Sequence, residues 1–271
     1  MVMNTSVFDR TATCCIPLGI DLSAGELAAY VNEKQLSEEQ TTAIADLFLY
    51  LEEKKSQATL EMLLKFSRLP LKVPKTFENF DFSRIQGKDS ECLKNLKMLS
   101  EIHARKNIAF IGPPGVGKTH LAQAYGRACC HAKMKVYFLK ASELKAKFMQ
   151  GKRDGTEDKV VGALLKPSCL IIDEIGRCNF DKECTRMFFD LIDRRYEKDC
   201  PNCMIFTSNR QPKDWQEFFN AKDDLNAALD RLFDDSKIIN ISGKSYRGRK
   251  REIYAVEANS NVSSSHGNKN Y

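Results

Sequence analysis

The chain has 271 residues, of which 42% are hydrophobic and 29% charged, and a formal net charge of +6. That balance describes a water-soluble chain able to bury one substantial core and a small accessory unit. No apolar stretch approaches bilayer length, and the N-terminal run TATCCIPLGI lacks a basic start and is interrupted by Pro17, so membrane-spanning and secretory classes are excluded and a cytoplasmic location is expected.

Residues 1–21 show no clear period and are expected to be poorly ordered. Three short helices are expected after them. Ser23 with Glu26 and Ser37 with Gln40 form capping boxes, and Ile44, Leu47, Phe48 and Leu51 keep the spacing of a buried helical stripe. A third helix is expected from about Thr59, with Leu60, Leu63 and Leu64, ended by the LPLKVP segment at 69–74. The pattern marks a helical subdomain at 22–68 and a linker at 69–87. In the linker, Phe77, Phe80 and Phe82 of TFENFDF are expected as core contacts rather than as a stack for a base.

From residue 88 to 243, strand-like and helix-like segments alternate. The strands are NIAFI, VYFL, CLII, MIFTS and IINI; the helices follow the glycine-rich loop, start at Ser142, span 181–198 and lie near 222–234. Strands joined by helical crossovers imply an α/β fold with a five-stranded parallel sheet covered on both faces.

Between the first strand and its helix lies GPPGVGKT: Gly112, Pro113, Pro114, Gly115, Val116, Gly117, Lys118 and Thr119. This is a complete phosphate-binding loop. The glycines let backbone N–H groups turn inward around a β-phosphate, and the following helix offers its positive end to the same anion. Lys118 is placed to reach the β- and γ-phosphates, and the Thr119 hydroxyl is a natural Mg²⁺ ligand. The predicted ligands are ATP and Mg²⁺.

Two further strand ends carry chemistry. CLII stops abruptly at Asp173 and Glu174. Behind such a loop, Asp173 would hold a Mg²⁺-bound water and Glu174 would polarise the attacking water, whereas a solvated helix-capping pair is the plain alternative. MIFTSN ends in Thr207, Ser208 and Asn209, and ligands in open α/β sheets sit beyond the carboxyl ends of strands. Asn209 is therefore a candidate to position the lytic water or sense the γ-phosphate, against the plainer reading of a polar turn.

Charge is uneven along the chain. Residues 1–75 hold 8 basic and 10 acidic side chains, which leaves the basic excess on the remainder. Lys244, Arg247, Arg249, Lys250 and Arg251 cluster within eight residues, ahead of a polar, aperiodic end, so 244–271 reads as a basic, disordered tail. Contact with the phosphate backbone of double-stranded DNA is the inference, and a merely solubilising run is its rival.

Ten cysteines sit mostly where a reduced thiol serves as a small hydrophobe. Cys200 and Cys203 form CPNC and invite a zinc or redox reading together with Cys178 and Cys184. An amphipathic helix over 181–198, burying Cys184, Phe188, Leu191 and Ile192, would keep the two pairs apart.

The run LIIDEIGRCNFDKECTRMFFDLIDRRYEK, the strand IFTSN followed by Trp215 in DWQEFF, then LDRLF, IINI and GKSYR, resembles the IstB/DnaC-like AAA+ ATPases over residues 60–250, and most closely the IstB helpers of bacterial insertion sequences. The resemblance implies an AAA+ core and an ATP-dependent, DNA-bound homo-oligomer that helps its transposase choose and engage target DNA. It also implies that Arg231 of LDRLF completes a neighbouring subunit's site, where the local alternative is an ion pair with Asp230 or Asp234. Arg247 of GKSYR could serve its own site instead.

Three rival readings share the loop. A replicative helicase loader of the same superfamily would use its N-terminal region to grip a helicase. A nucleotide-switched binding module would bind ATP and scarcely hydrolyse it, which the presence of Glu174 disfavours. A small-molecule kinase would need an acceptor site and an arginine-rich lid, neither of which stands out.

Overall fold

The computed structural model describes residues 6–85, 90–220, 225–234, 236–243 and 245. Five strands, β1 (Ile108–Ile111), β2 (Val136–Lys140), β3 (Cys169–Ile175), β4 (Cys203–Ser208) and β5 (Lys237–Asn240), form one sheet in the order β2-β3-β4-β1-β5. All four pairings are parallel. The strands read as unbroken apolar runs because both faces of the sheet are covered.

Alternate residues of each central strand therefore enter different cores. Ala109, Ile111, Leu170, Ile172, Met204 and Phe206 pack on one face with α7 (Ala141–Arg153), α8 (Glu157–Leu165), α9 (Lys182–Glu197) and α10 (Leu225–Phe233). Ile108, Phe110, Cys169, Ile171, Cys203 and Ile205 pack on the other with α6 (Lys118–His131) and the linker's Leu69, Phe77 and Phe80. The short helices α4 (Ser90–Asn95) and α5 (Ser100–His103), with the 3-10 turn Leu96–Met98 between them, close that second face through Leu93, Leu96 and Ile102.

The N-terminal region is helical, with two departures from the sequence reading. Residues 7–18, within the stretch expected to be poorly ordered, form helix α1 (Val7–Leu18). Its signals are short-range: Ser6 caps the Asp9 N–H, Gly19 ends the helix at φ 77°, and Thr11 and Cys15 are buried. After α2 (Ala24–Glu33), the two helices expected from Ser37 and Thr59 are a single helix, α3 (Glu38–Phe66), 29 residues long. The joining residues, EEKKSQA at 52–58, contain no glycine or proline, so nothing breaks the helix. Both capping boxes are formed as the pattern requires. Behind β2 there are also two helices, α7 and α8, where the sequence marks one from Ser142.

One buried cation ties the sheet together at the end opposite the phosphate-binding loop. Arg195 of α9 is 1% exposed and donates to the carbonyls of Leu164, Pro167, Ser168 and Cys203 and, at 2.7 Å, to Asn202 Oδ1. Burial lowers its pKa to about 10, so the group remains charged at neutral pH with carbonyl oxygens as its acceptors. It fastens the starts of β3 and β4 to each other. Arg195→Ala orphans these acceptors and opens a cavity, so urea unfolding should show a loss of about 3 kcal/mol; a loss below about 1 kcal/mol would contradict the clamp.

Candidate nucleotide site

The loop from 112 to 117 leaves the end of β1 and enters α6. Gly115 at φ 84° and Gly117 at φ 102° hold left-handed turns that place Lys118 and Thr119 at the helix start. A Cβ at Gly117 would lie 2.7 Å from Phe80 Cε2, so the linker ring packs directly on the loop. The buried Lys118 ammonium donates to Gly112 O at 2.7 Å, Pro113 O at 2.8 Å and Asn209 Oδ1 at 2.7 Å. Its charge thus rests on the loop's own carbonyls and on the end of β4.

Asp173 sits at the tip of β3, 2% exposed. Its Oδ1 accepts from Thr119 Oγ1 at 2.7 Å and from Thr207 Oγ1 at 2.5 Å, which joins α6, β3 and β4 in one line. Burial raises its pKa above the usual aspartate value, and the two hydroxyl donors oppose that rise. Hydroxyl and carboxylate oxygens converging in this way are hard donors suited to Mg²⁺.

Glu174 has φ 62°, a left-handed conformation rare for glutamate. The cause is a bulge: between the pairs Ile172–Phe206 and Ile175–Ser208, β3 uses one more residue than β4. The extra residue turns the Glu174 N–H toward Thr207 Oγ1 at 2.9 Å and leaves its carboxylate in the cleft. That carboxylate meets Arg177 at 2.6 Å and the Lys140 ammonium at 3.7 Å. Strain held at such a position is characteristic of functional sites.

Lys118, Thr119, Glu174, Arg177, Thr207 and Asn209 line a cleft of about 500 Å³, large enough for a nucleotide. One wall is the loop with Glu174, Thr207 and Asn209; the opposite wall is the linker, through Lys75, Asn79, Phe80 and Asp81. His120, edge-on to Phe80 at 5.1 Å and bonded to Thr76 O at 2.9 Å, has its pKa lowered by burial and is neutral at physiological pH.

Lys118, Thr119, Glu174 and Asn209, from three separated segments, therefore share one cleft, and Asp173 lies buried behind it, bonded to Thr119 and Thr207. Arg231 does not join them. It lies on the surface of α10, paired with Asp193 of α9 at 2.6 Å rather than with Asp230 or Asp234. Lys244, Arg247, Arg249, Lys250 and Arg251 lie outside the described residues. Among the described residues no three His, Cys, Asp or Glu side chains converge as a metal site; Cys203 is buried in β4, and Cys200 is exposed.

Several participants escaped the sequence reading. Thr207 was seen only as part of a polar strand end, since its bond to Asp173 depends on the register of β3 against β4. Lys140 reaches Glu174 because β2 pairs in register with β3, Lys140 opposite Asp173. Arg177 had a local signal, three residues beyond Glu174 and just past Gly176.

A family model for the IstB-like ATP binding protein matches residues 21–253. The chain belongs to this family. It is 38% identical over 200 residues, 74% of each chain, to a protein of Pseudomonas aeruginosa named as an ATP-binding protein of insertion sequence IS21. It is 36% identical over 199 residues, 73% of this chain and 77% of the other, to one so named from IS5376 of Geobacillus stearothermophilus. Among solved structures, AMPPCP-bound DnaA from Aquifex aeolicus matches with a TM-score of 0.51 at 23% identity over 64% of this chain and 51% of that one. The likeness to DnaA, of which the match spans about half, is one of fold: an AAA+ P-loop core.

The raised pKa of Asp173 has a consequence for stability. The folded chain holds this proton to higher pH than the unfolded chain, so stability falls as pH rises from the ordinary carboxylate range through the folded-state pKa. Asp173→Asn keeps an acceptor for Thr119 and Thr207 but removes the charge. At neutral pH the variant should unfold at higher urea than the parent, and the two should converge in acid; a variant less stable at neutral pH would contradict the assignment.

Proposed function

We propose that this chain is an ATP-hydrolysing helper of an insertion-sequence transposase, assembling with copies of itself on double-stranded DNA. The observation that carries the reading is the convergence of Lys118, Thr119, Glu174 and Asn209 in the loop-bearing cleft, with Asp173 bonded to Thr119 behind them, in a chain whose relatives are named from insertion sequences. Those relatives favour the transposition helper over the helicase loader.

Thr119 and Asp173 are the residues that would hold Mg²⁺, which neutralises charge on the phosphates when bound. Lys118 exchanges its carbonyl partners for phosphate oxygens of the substrate. Asn209, already bonded to that lysine, registers the exchange at the end of β4. Glu174 orients the attacking water and takes its proton, for which its carboxylate must part from Arg177. Arg231, remote from its own cleft and held by Asp193, is available to a neighbouring copy, where a cation supports the charge that develops on the transferred phosphoryl group. The basic excess of the chain beyond residue 75, including Lys244, Arg247, Arg249, Lys250 and Arg251, supplies backbone contacts to DNA.

Turnover measured with and without DNA tests the reading. Glu174→Gln should bind ATP and fail to hydrolyse it; hydrolysis at the parental rate would remove Glu174 from the mechanism, and a parent with no turnover under any condition would favour the switched binding module. Arg231→Ala should lower turnover by about 10³ while ATP affinity is retained, and mixing it with Lys118→Ala chains should restore part of the rate. Intact mixed assemblies with no recovery would exclude action between subunits.

A further inference from the structure

The cleft has two ends, and phosphate chemistry accounts for one of them. Lys118, Thr119, Glu174 and Asn209 gather there. At the other, on the next turn of α6, the wall is made by His120 and Gln123, with the linker's Asn79 and Phe80 across from them. Gln123 follows Thr119 by four residues, so it stands about 5.4 Å further along the same face of the helix.

Gln123 is 8% exposed, and what remains open of it faces the cleft. Among the described residues nothing is hydrogen-bonded to its amide. A primary amide enclosed to that degree without a partner is a local cost, which a ligand offering both a donor and an acceptor removes. The other amide on this wall is already engaged, because Asn79 accepts from the Thr76 N–H at 3.0 Å and donates to Pro74 O at 2.8 Å.

Those bonds tie the linker turn that carries Thr76 O, and that carbonyl decides the state of His120. A carbonyl only accepts, so its 2.9 Å contact with Nε2 puts the ring proton on that nitrogen. Burial keeps the ring neutral, which leaves Nδ1 with a lone pair and no proton. The edge-on contact with Phe80 holds the ring in place. His120 is thus a fixed acceptor near an amide that can both accept and donate.

We infer that Gln123 and His120 select the base of the nucleotide, and that the base they select is adenine. The inference rests on the reading of this cleft as the ATP site and names the residues that make it specific. A glutamine amide pairs with adenine through N6 and N7, its oxygen accepting from the N6 amine and its nitrogen donating to N7. The second N6 hydrogen is left for His120 Nδ1. Guanine carries O6 at that position, so His120 would face a lone pair, and the amide could satisfy only one of O6 and N7 by turning over. The fixed proton on His120 Nε2 removes the freedom that an amide alone would have.

Equilibrium binding of the non-hydrolysable imido analogues of ATP and GTP, with Mg²⁺, to the full chain tests the inference. The parent should prefer the adenine analogue by about 10- to 100-fold. The inosine analogue, which has O6 in place of the N6 amine, should bind the parent as weakly as the guanine one. Gln123→Leu keeps the bulk of the side chain and removes its polar atoms; it should narrow the preference about tenfold by weakening the adenine analogue. Gln123→Arg presents donors only, the pattern that suits O6 and N7 of guanine, and should move the preference toward the guanine analogue. Circular dichroism melts show whether each variant is folded. A parent indifferent to the base overturns the inference, as does a Gln123→Leu variant that loses both analogues in proportion, which would make the residue a packing element or a ribose contact. An adenine preference that persists in both variants overturns it while leaving the ATP reading intact. A parent that binds no analogue removes the ATP reading and the inference together.

Discussion

The hydrogen-bonded line Thr119–Asp173–Thr207 is the contact on which the site depends. It joins the start of α6 to the tips of β3 and β4 through one buried carboxylate oxygen. Everything else in the cleft is placed relative to it. The loop before Thr119 carries Lys118, the bulge after Asp173 carries Glu174, and the residue after Ser208 is Asn209. A parallel sheet makes this possible, because all its strands end on one edge and a helix that follows a strand must start there.

That arrangement is stable but not relaxed. A buried carboxylate with a raised pKa stands next to a glutamate at positive φ, each of them a local cost that the surrounding packing sustains. The rigidity that permits this comes from elsewhere, from two apolar layers on the sheet and from Arg195 at its far end, where no ligand chemistry competes.

Much of this was legible in the sequence for local reasons. A glycine-rich loop between a strand and a helix has few other uses, and an apolar run followed by two carboxylates marks the last part of a buried strand, which continues past them to Ile175. Capping boxes fixed the starts of α2 and α3 because they act over three residues. What escaped were features of register and of context. The bulge at Glu174 and the partnership of Thr207 with Asp173 depend on how β4 slides against β3, which periodicity does not encode. The short sequence of helix α1 gives no period, and only its ends, Ser6 and Gly19, carry a local signal. The division of α3 into two helices placed a break where only leucine-poor, helix-tolerant residues stand. The spacing of Ile44, Leu47, Phe48 and Leu51 implies a buried stripe on α3, but Leu47 and Leu51 are exposed, because α1 docks over Thr42, Ala45, Asp46 and Leu49 on the other side of the helix.

Binding of ATP through Lys118, in the cleft built on the loop from Gly112 to Thr119, is open to direct measurement. Calorimetric titration with a non-hydrolysable ATP analogue and Mg²⁺ tests it most directly, comparing the parent with Lys118→Ala. One analogue should bind per parental chain and none measurably to Lys118→Ala, with the variant's circular dichroism spectrum unchanged. Equal affinity in the two proteins would contradict it.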